Sequence, residues 1–182
     1  MSGWWVVSYV VLWVVVVALA VLALALARQI GTLHLRLGPR GALELDDEGP
    51  PLGEAPEAAD LPSIDGRTVT VGGPGEAQLL LFVSPGCPIC REVVPSLPVA
   101  ARAGGMSPRL ISDAADAHPY ASVPAPVVAS PSLTRDYGVP GTPYAVILDT
   151  VGVVRAKGTV NNLEQMEGLI ETARRRLETA LG

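Results

Sequence analysis

The two cysteines of this 182-residue chain, Cys87 and Cys90, stand three residues apart and are well suited to redox chemistry. Thiol-disulfide exchange needs one thiolate that attacks a disulfide and a second thiol that resolves the mixed disulfide. On a helix, this spacing places both sulfurs on one side of a single turn. Cys87 falls at a predicted helix start, where free backbone N–H groups lower a thiol pKa, and Pro88 suits the first helical position. We predict that Cys87 is the nucleophile and Cys90 the more buried, resolving thiol.

Other interpretations of the cysteine pair remain open at this point. A zinc half-site would need further ligands, but His34 and His118 stand at unrelated spacings and there is no second cysteine pair. We therefore expect no metal, and no cofactor. An inert buried pair is a second alternative. A peroxidatic cysteine is a third, since Ser84 stands three residues before Cys87, although Leu80 occupies the place where that family carries a proline.

The pattern around the pair predicts a mixed α/β domain built on one sheet. Residues 77–83 form a nearly continuous apolar run, which is typical of a buried central strand. A helical segment follows Cys87 towards residue 103. Further strands are predicted at residues 67–71, 109–112, 127–130, 144–148 and 153–157, with a helical turn at 132–137 and a closing amphipathic helix at 162–181.

An uncharged apolar block lies near the N terminus. Residues 4–27 would span about 36 Å as a helix, enough to cross a bilayer, so we predict one transmembrane helix there. A cleaved signal peptide is the alternative, because residues 25–27 resemble a small-residue cleavage site. The apolar run is long for a signal peptide, however, and no Lys or Arg precedes it.

Two segments separate this helix from the predicted domain. Residues 28–45 form a juxtamembrane segment, in which the strict alternation at 32–37 is typical of a half-buried strand. Residues 46–62 are acidic and Pro-rich with little to bury, which predicts a linker, and the folded domain is expected at 63–182. The net charge of -5 and the scattered basic residues argue against a nucleic-acid partner.

The order of motifs over residues 60–182 resembles the thioredoxin superfamily. A strand is followed by Cys-x-x-Cys at a helix start, then by Pro95 five residues after the second cysteine, and later by residues 138–143, Gly-Val-Pro-Gly-Thr-Pro, before an apolar strand. The resemblance implies a thioredoxin-like domain with a central mixed sheet and an active-site helix kinked at Pro95. It also implies that Pro143 is cis and faces the cysteines, with the Thr142 backbone ready to pair with an extended substrate.

A closer resemblance covers nearly the whole chain. The apolar anchor, the juxtamembrane residues 28–34 and 38–43, and the core Phe-Val-Ser-Pro-x-Cys-Pro-Ile-Cys at residues 82–90 look like the methylamine utilisation protein MauD family. This resemblance implies a membrane-tethered oxidoreductase or isomerase that assists maturation of an exported, disulfide-containing protein, the small subunit of periplasmic methylamine dehydrogenase. A membrane or extracytoplasmic redox partner would then recycle the cysteine pair.

The resemblance also places the redox domain on the periplasmic side of the cytoplasmic membrane. The positive-inside rule argues for the cytoplasm instead, because three arginines follow the helix, at positions 28, 36 and 40. We expect the periplasmic side, because stable disulfides in a partner form and persist in an oxidising compartment. Two functional alternatives are a membrane-tethered thiol reductase of a cytochrome-maturation-like pathway and a non-catalytic, chaperone-like docking module.

Two positions depart from the thioredoxin pattern. Leu81 stands six residues before the first cysteine, where thioredoxins carry a buried acid, so water or Glu92 would have to serve in proton transfer. Gly86 replaces the tryptophan that commonly precedes the first cysteine. The absence of a large side chain there leaves the sulfur more open, which favours a bulky protein substrate over a small peroxide.

Overall fold

The computed structural model describes residues 3–36 and 48–181, and the chain divides into two compact units, residues 1–39 and 40–182. The described part of the first unit is helix α1, Gly3–Arg36. Its first 20 residues, Gly3–Leu22, have a mean hydropathy of 2.7 and carry exposed side chains, and they are long and apolar enough to cross a membrane. The predicted apolar helix is therefore present.

Helix α1 extends further than the sequence predicted. It continues to Arg36, so the strand predicted from the alternation at 32–37 is wrong over residues 32–36. Adding a residue to an existing helix costs little free energy, because each residue that becomes ordered gains one hydrogen bond. The strand preference of a six-residue alternating pattern is too weak to outweigh this gain. The rest of the predicted juxtamembrane segment, residues 37–45, and the first two residues of the predicted linker lie outside the described residues.

Over its described residues, 48–181, the second unit has seven strands and four helices. The strands are β1 (Ala59–Pro62), β2 (Thr68–Val71), β3 (Gln78–Val83), β4 (Ser107–Ser112), β5 (Val127–Ala129), β6 (Tyr144–Leu148) and β7 (Val154–Thr159). The helices are α2 (Pro88–Val93), α3 (Ser96–Gly104), α4 (Pro131–Asp136) and α5 (Leu163–Leu181), with a 3₁₀ turn at His118–Tyr120. Apart from β1 and the 3₁₀ turn, which were not predicted, the strands and helices of this unit lie close to the predicted segments, because the apolar patterns are strong and the Gly/Pro breaks are clear.

Five strands form the central sheet in the order β5-β4-β3-β6-β7. Strands β3, β4 and β5 run parallel, whereas β6 is antiparallel to both β3 and β7. The predicted mixed sheet is confirmed. All six residues of β3 are buried, as expected for a central strand covered on both faces.

The two faces of the sheet support two apolar clusters. One cluster includes Leu81, Cys90 and Leu97 and is completed by residues of α5 such as Met166. The other includes Phe82, whose ring centroid lies 5.4 Å from that of Tyr137. The cysteine pair is therefore attached to the first cluster through Cys90, which holds α2 firmly against the end of β3.

Residues 48–62 differ from the predicted linker, because they pack on the domain. The Gly53 N–H donates to the Val154 carbonyl over 2.9 Å, and the Val154 N–H donates to the Glu54 carbonyl over 2.9 Å. Strand β1 pairs with β2, and Leu52 and Leu61 pack against the second cluster. The boundary predicted at residue 63 thus falls inside the folded unit. Composition did not reveal this packing, since part of the segment is held by backbone hydrogen bonds to the edge strand β7, which any residue type can make.

Candidate functional site

Cys87 lies where β3 gives way to α2, at the N-cap position of that helix. Its backbone is extended, with φ −88° and ψ 112°, and its Sγ accepts a hydrogen bond from the Cys90 N–H over 3.1 Å. Pro88 follows as the first helical residue. The predicted helix start is confirmed, and a thiolate at Cys87 would be stabilised by a backbone donor and by the positive end of the helix.

The two cysteines differ in exposure and are joined by a disulfide bond. Cys90 is fully buried, whereas Cys87 is partly exposed. An incoming thiol or thiolate can therefore reach the Cys87 sulfur more easily than that of Cys90. This asymmetry agrees with the predicted division into an attacking and a resolving cysteine, although the division itself stays a prediction.

The loop before β6 faces the cysteine pair. The Thr142–Pro143 peptide bond is cis, and the Thr142 carbonyl oxygen lies 3.6 Å from the Cys87 Sγ. Both features agree with the prediction, and the cis bond is confirmed. Pro143 is buried, while Thr142 is partly exposed beside the sulfur. The backbone next to Cys87 is thus available to a partner, as substrate pairing through Thr142 would require.

The active-site helix is interrupted where the sequence predicted a kink. Helix α2 ends at Val93 and α3 begins at Ser96, with Pro95 as the N-cap residue of α3. Pro95 has no N–H to donate to the preceding helical turn, and in a regular helix its ring would clash with the backbone carbonyl four residues earlier. The interruption separates the short helix that carries the cysteines from the longer α3.

Tyr120 supports the cysteine loop and was not recognised from the sequence, which placed it in an ordinary loop. Its hydroxyl donates to the Ser84 carbonyl over 2.6 Å, and the same carbonyl accepts the Cys87 N–H over 3.1 Å. Burial raises the pKa of Tyr120; the charge of Asp113 raises it further, and Arg91 opposes them. The hydroxyl therefore stays protonated and keeps its donor role. No local pattern could reveal a bond across 36 positions of sequence.

An open groove of about 560 Å³ runs beside Cys87. It is lined by Ser84, Gly86, Cys87, Asp113, Thr134 and residues 139–142. A methyl group built on Gly86 would meet nothing within 4 Å, which agrees with the prediction that this position leaves the sulfur open. Asp113 brings an acid into the groove. Leu81 is fully buried, and Glu92, which with water was one of the two predicted routes for proton transfer, is exposed on α2.

Within residues 3–36 and 48–181, no group of three or more His, Cys, Asp or Glu side chains is arranged to hold a metal ion. His118 is exposed at the start of the 3₁₀ turn.

Comparison with curated proteins identifies the family. No protein-family model matches the chain. The methylamine utilization protein MauD of Methylobacillus flagellatus is 40% identical, over 95% of this chain and 88% of its own length. MauD of Paracoccus denitrificans is 35% identical, over 96% of this chain and 91% of its own length. The chain belongs to the MauD family. The resemblance seen in the sequence is therefore confirmed over nearly the whole chain.

Solved structures confirm the thioredoxin-like fold of this MauD-family chain. The lipoprotein thioredoxin Etrx1 of Streptococcus pneumoniae has a TM-score of 0.56 at 19% identity, covering 65% of this chain and 99% of its own. The thioredoxin domain of a thiol-disulfide oxidoreductase from Bacteroides vulgatus has a TM-score of 0.51 at 16% identity, covering 72% and 98%. Family, fold and the disulfide at the start of α2 together make the chain a thiol-disulfide oxidoreductase.

Replacing Tyr120 by Phe tests the support of the cysteine loop. The ring keeps its packing but loses the hydrogen bond to the Ser84 carbonyl, so we expect the unfolding free energy to fall by about 1 kcal/mol. Chemical denaturation of the full chain in detergent micelles measures this loss. Tyr137→Phe is the matched control, because the buried Tyr137 hydroxyl has no hydrogen-bond partner among the described residues. Its removal should leave stability unchanged or raise it, and a larger loss for Tyr137→Phe than for Tyr120→Phe would contradict the assignment.

Proposed function

We propose that this chain is a membrane-tethered thiol-disulfide oxidoreductase or isomerase that assists disulfide formation in an exported protein. The target we propose is the small subunit of methylamine dehydrogenase. The observation that carries the proposal is the Cys87–Cys90 disulfide, with one partly exposed sulfur beside the Thr142 carbonyl, in a chain of the MauD family. The relatives are named for methylamine utilization, which supports this choice of target.

The exchange reaction follows from the two sulfurs. In the reduced protein, the Cys87 thiolate attacks one sulfur of a partner disulfide, forming a mixed disulfide and releasing the other partner sulfur as a thiolate. The Cys90 thiolate then attacks the Cys87 sulfur, which frees the partner as a dithiol and leaves the protein oxidised by two electrons. The reverse sequence oxidises a partner dithiol. An isomerase uses the first step and its reversal between different partner cysteines.

The partner is proposed to lie across the groove as an extended segment. The Thr142 backbone would pair with this segment as an added strand, and Pro143 would hold the Thr142 carbonyl towards Cys87. Gly86 contributes no side chain that would obstruct the approach. A folded domain with a disulfide near its surface can therefore reach the sulfur, which suits a protein substrate.

We propose that α1 is a single-pass anchor and that the redox domain lies on the periplasmic side. The segment Gly3–Leu22 is long and apolar enough for the anchor. An oxidising compartment suits the proposed task, since disulfides in a partner persist there. A tether at the membrane also keeps the domain close to newly exported chains.

The target is tested by mapping disulfides in the methylamine dehydrogenase small subunit. In cells that lack this protein, we expect the subunit to accumulate with missing or mispaired disulfides, and the full chain should restore them. A variant with both cysteines replaced by Ser should fail to restore them. Correct disulfides in its presence would support the chaperone-like alternative, and correct disulfides without any of this protein would refute the target.

The topology is tested with reporters fused behind Gly182. We expect a reporter that is active only after export to be active, because the proposed anchor leaves the C-terminal domain outside the cytoplasm. A reporter that requires the cytoplasm should be inactive at the same position. The opposite pair of results would show that the arginines at 28, 36 and 40 control the orientation, and would refute the proposed periplasmic location.

A further inference from the structure

We propose that Asp113 selects substrates, favouring disulfide-bearing segments with a positively charged residue next to the reacting cysteine. This inference rests on the proposed function and adds a substrate class to it. Asp113 follows β4 directly, and its N–H donates to the Val83 carbonyl over 3.0 Å. Val83 is the last residue of β3 and stands four residues before Cys87, so this hydrogen bond holds Asp113 beside the end of β3. Asp113 lines the groove that is also lined by Cys87 and Thr142.

The carboxylate of Asp113 is available to a ligand. Among residues 48–181 its side chain forms no hydrogen bond and no ion pair, and it is partly buried in the groove wall. The other groove-lining residues, which include Ser84, Thr134 and Val139, carry no ionised side chain beside the cysteine. Arg91 forms no ion pair with Asp113 in this part of the chain and does not line the groove.

A substrate segment seated in the groove must remove water from this carboxylate. Burying an unpaired charge costs free energy, and that cost is offset when the segment supplies a Lys or Arg side chain. A Glu or Asp at the same place adds like-charge repulsion and is rejected. Because the groove carries this negative charge beside the reacting sulfur, selection acts on residues adjacent in sequence to the substrate cysteine.

The test compares two cyclic peptides, each closed by one disulfide and differing in a single Lys or Glu next to one cysteine. The reduced full chain in detergent micelles converts each peptide to its dithiol and becomes the Cys87–Cys90 disulfide, and liquid chromatography measures both rates. We expect the Lys peptide to react about fivefold faster, the size of a partly exposed charge effect. The ratio should fall towards one at high salt, where such charges are screened.

Asp113→Asn should bring the ratio of the two rates close to one. Asp116→Asn is the matched control: Asp116 is exposed three residues further along, outside the groove lining, and its Oδ1 accepts the His118 N–H. This variant should keep the fivefold preference. The ratio is independent of any common effect of Asp113 on the Cys87 thiolate, which changes both rates together. A ratio near one in the unaltered protein, or an unchanged ratio in Asp113→Asn, overturns the proposal, whereas absence of exchange with both peptides refutes the proposed function.

Discussion

Replacing Cys90 by Ser will leave a protein that attacks disulfides and stays covalently attached to its partner. Cys87 can still form the mixed disulfide, but the thiol that would resolve it is gone. Cys87→Ser will instead remove the partly exposed sulfur and leave a buried one. We expect multiple-turnover reduction or oxidation of a partner, which needs both sulfurs, to fall at least about a thousandfold in both variants, as is typical when one member of a catalytic unit is removed.

Non-reducing electrophoresis and mass spectrometry of the full chain distinguish the two variants. A covalent complex through Cys87 should accumulate for Cys90→Ser, and little complex should form for Cys87→Ser, because Cys90 is fully buried. The variant with both cysteines replaced is the control for non-specific adducts. Equal trapping by both single variants would contradict the assignment of Cys87 as the attacking residue.

Gly152→Ala should destabilise the domain more than an ordinary glycine substitution. Gly152 lies in the turn between β6 and β7 with φ +83°, and an added Cβ would meet the backbone N and O of Gly73 at 2.8 and 2.9 Å. Backbone atoms cannot rotate away as a flexible side chain can. The turn that contains Gly152 must therefore move away from the turn at Gly72-Gly73, against which it packs. We expect a loss of about 3 kcal/mol in unfolding free energy.

Gly66→Ala separates the effect of backbone angle from that of the clash. Gly66 has φ +82°, nearly the same as Gly152, yet an added Cβ there would meet nothing within 4 Å. The left-handed backbone alone should cost about 1 kcal/mol. Chemical denaturation of both variants measures the difference, and equal losses would show that the contact between Gly152 and Gly73 is relaxed without cost.

The local parts of the site could be predicted from sequence. Cys87, Pro88 and Cys90 are neighbours in the chain, and both the helix start and the exposure of one sulfur depend on adjacent residues. The buried strand β3 was also predictable, because a short unbroken apolar run between two turn segments is typical of a strand buried on both faces. The cis Thr142–Pro143 bond came from family resemblance, since residue preference alone favours trans.

The boundary of the domain could not be predicted in the same way. Acidic and Pro-rich composition indicates a linker when burial of side chains is the criterion, yet residues 48–62 are held by backbone bonds such as that between Gly53 and Val154. The Tyr144 hydroxyl donates to the Glu48 carbonyl over 3.0 Å, which places the start of this segment next to the residue that follows Pro143. Whether an edge strand is free to accept such a segment depends on the order of strands in the sheet.

The sequence by itself determined the reactive pair, the helix that presents it and the apolar run that can anchor the chain, because each depends on residues close together in the chain. Only the tertiary structure decided that Tyr120 supports the Ser84 carbonyl and that Asp113 lies in the groove beside Cys87. Both residues follow β4, which packs parallel to β3, so their distance from the sulfur depends on sheet pairing. Contacts across a sheet leave no periodic pattern in either of the segments that make them.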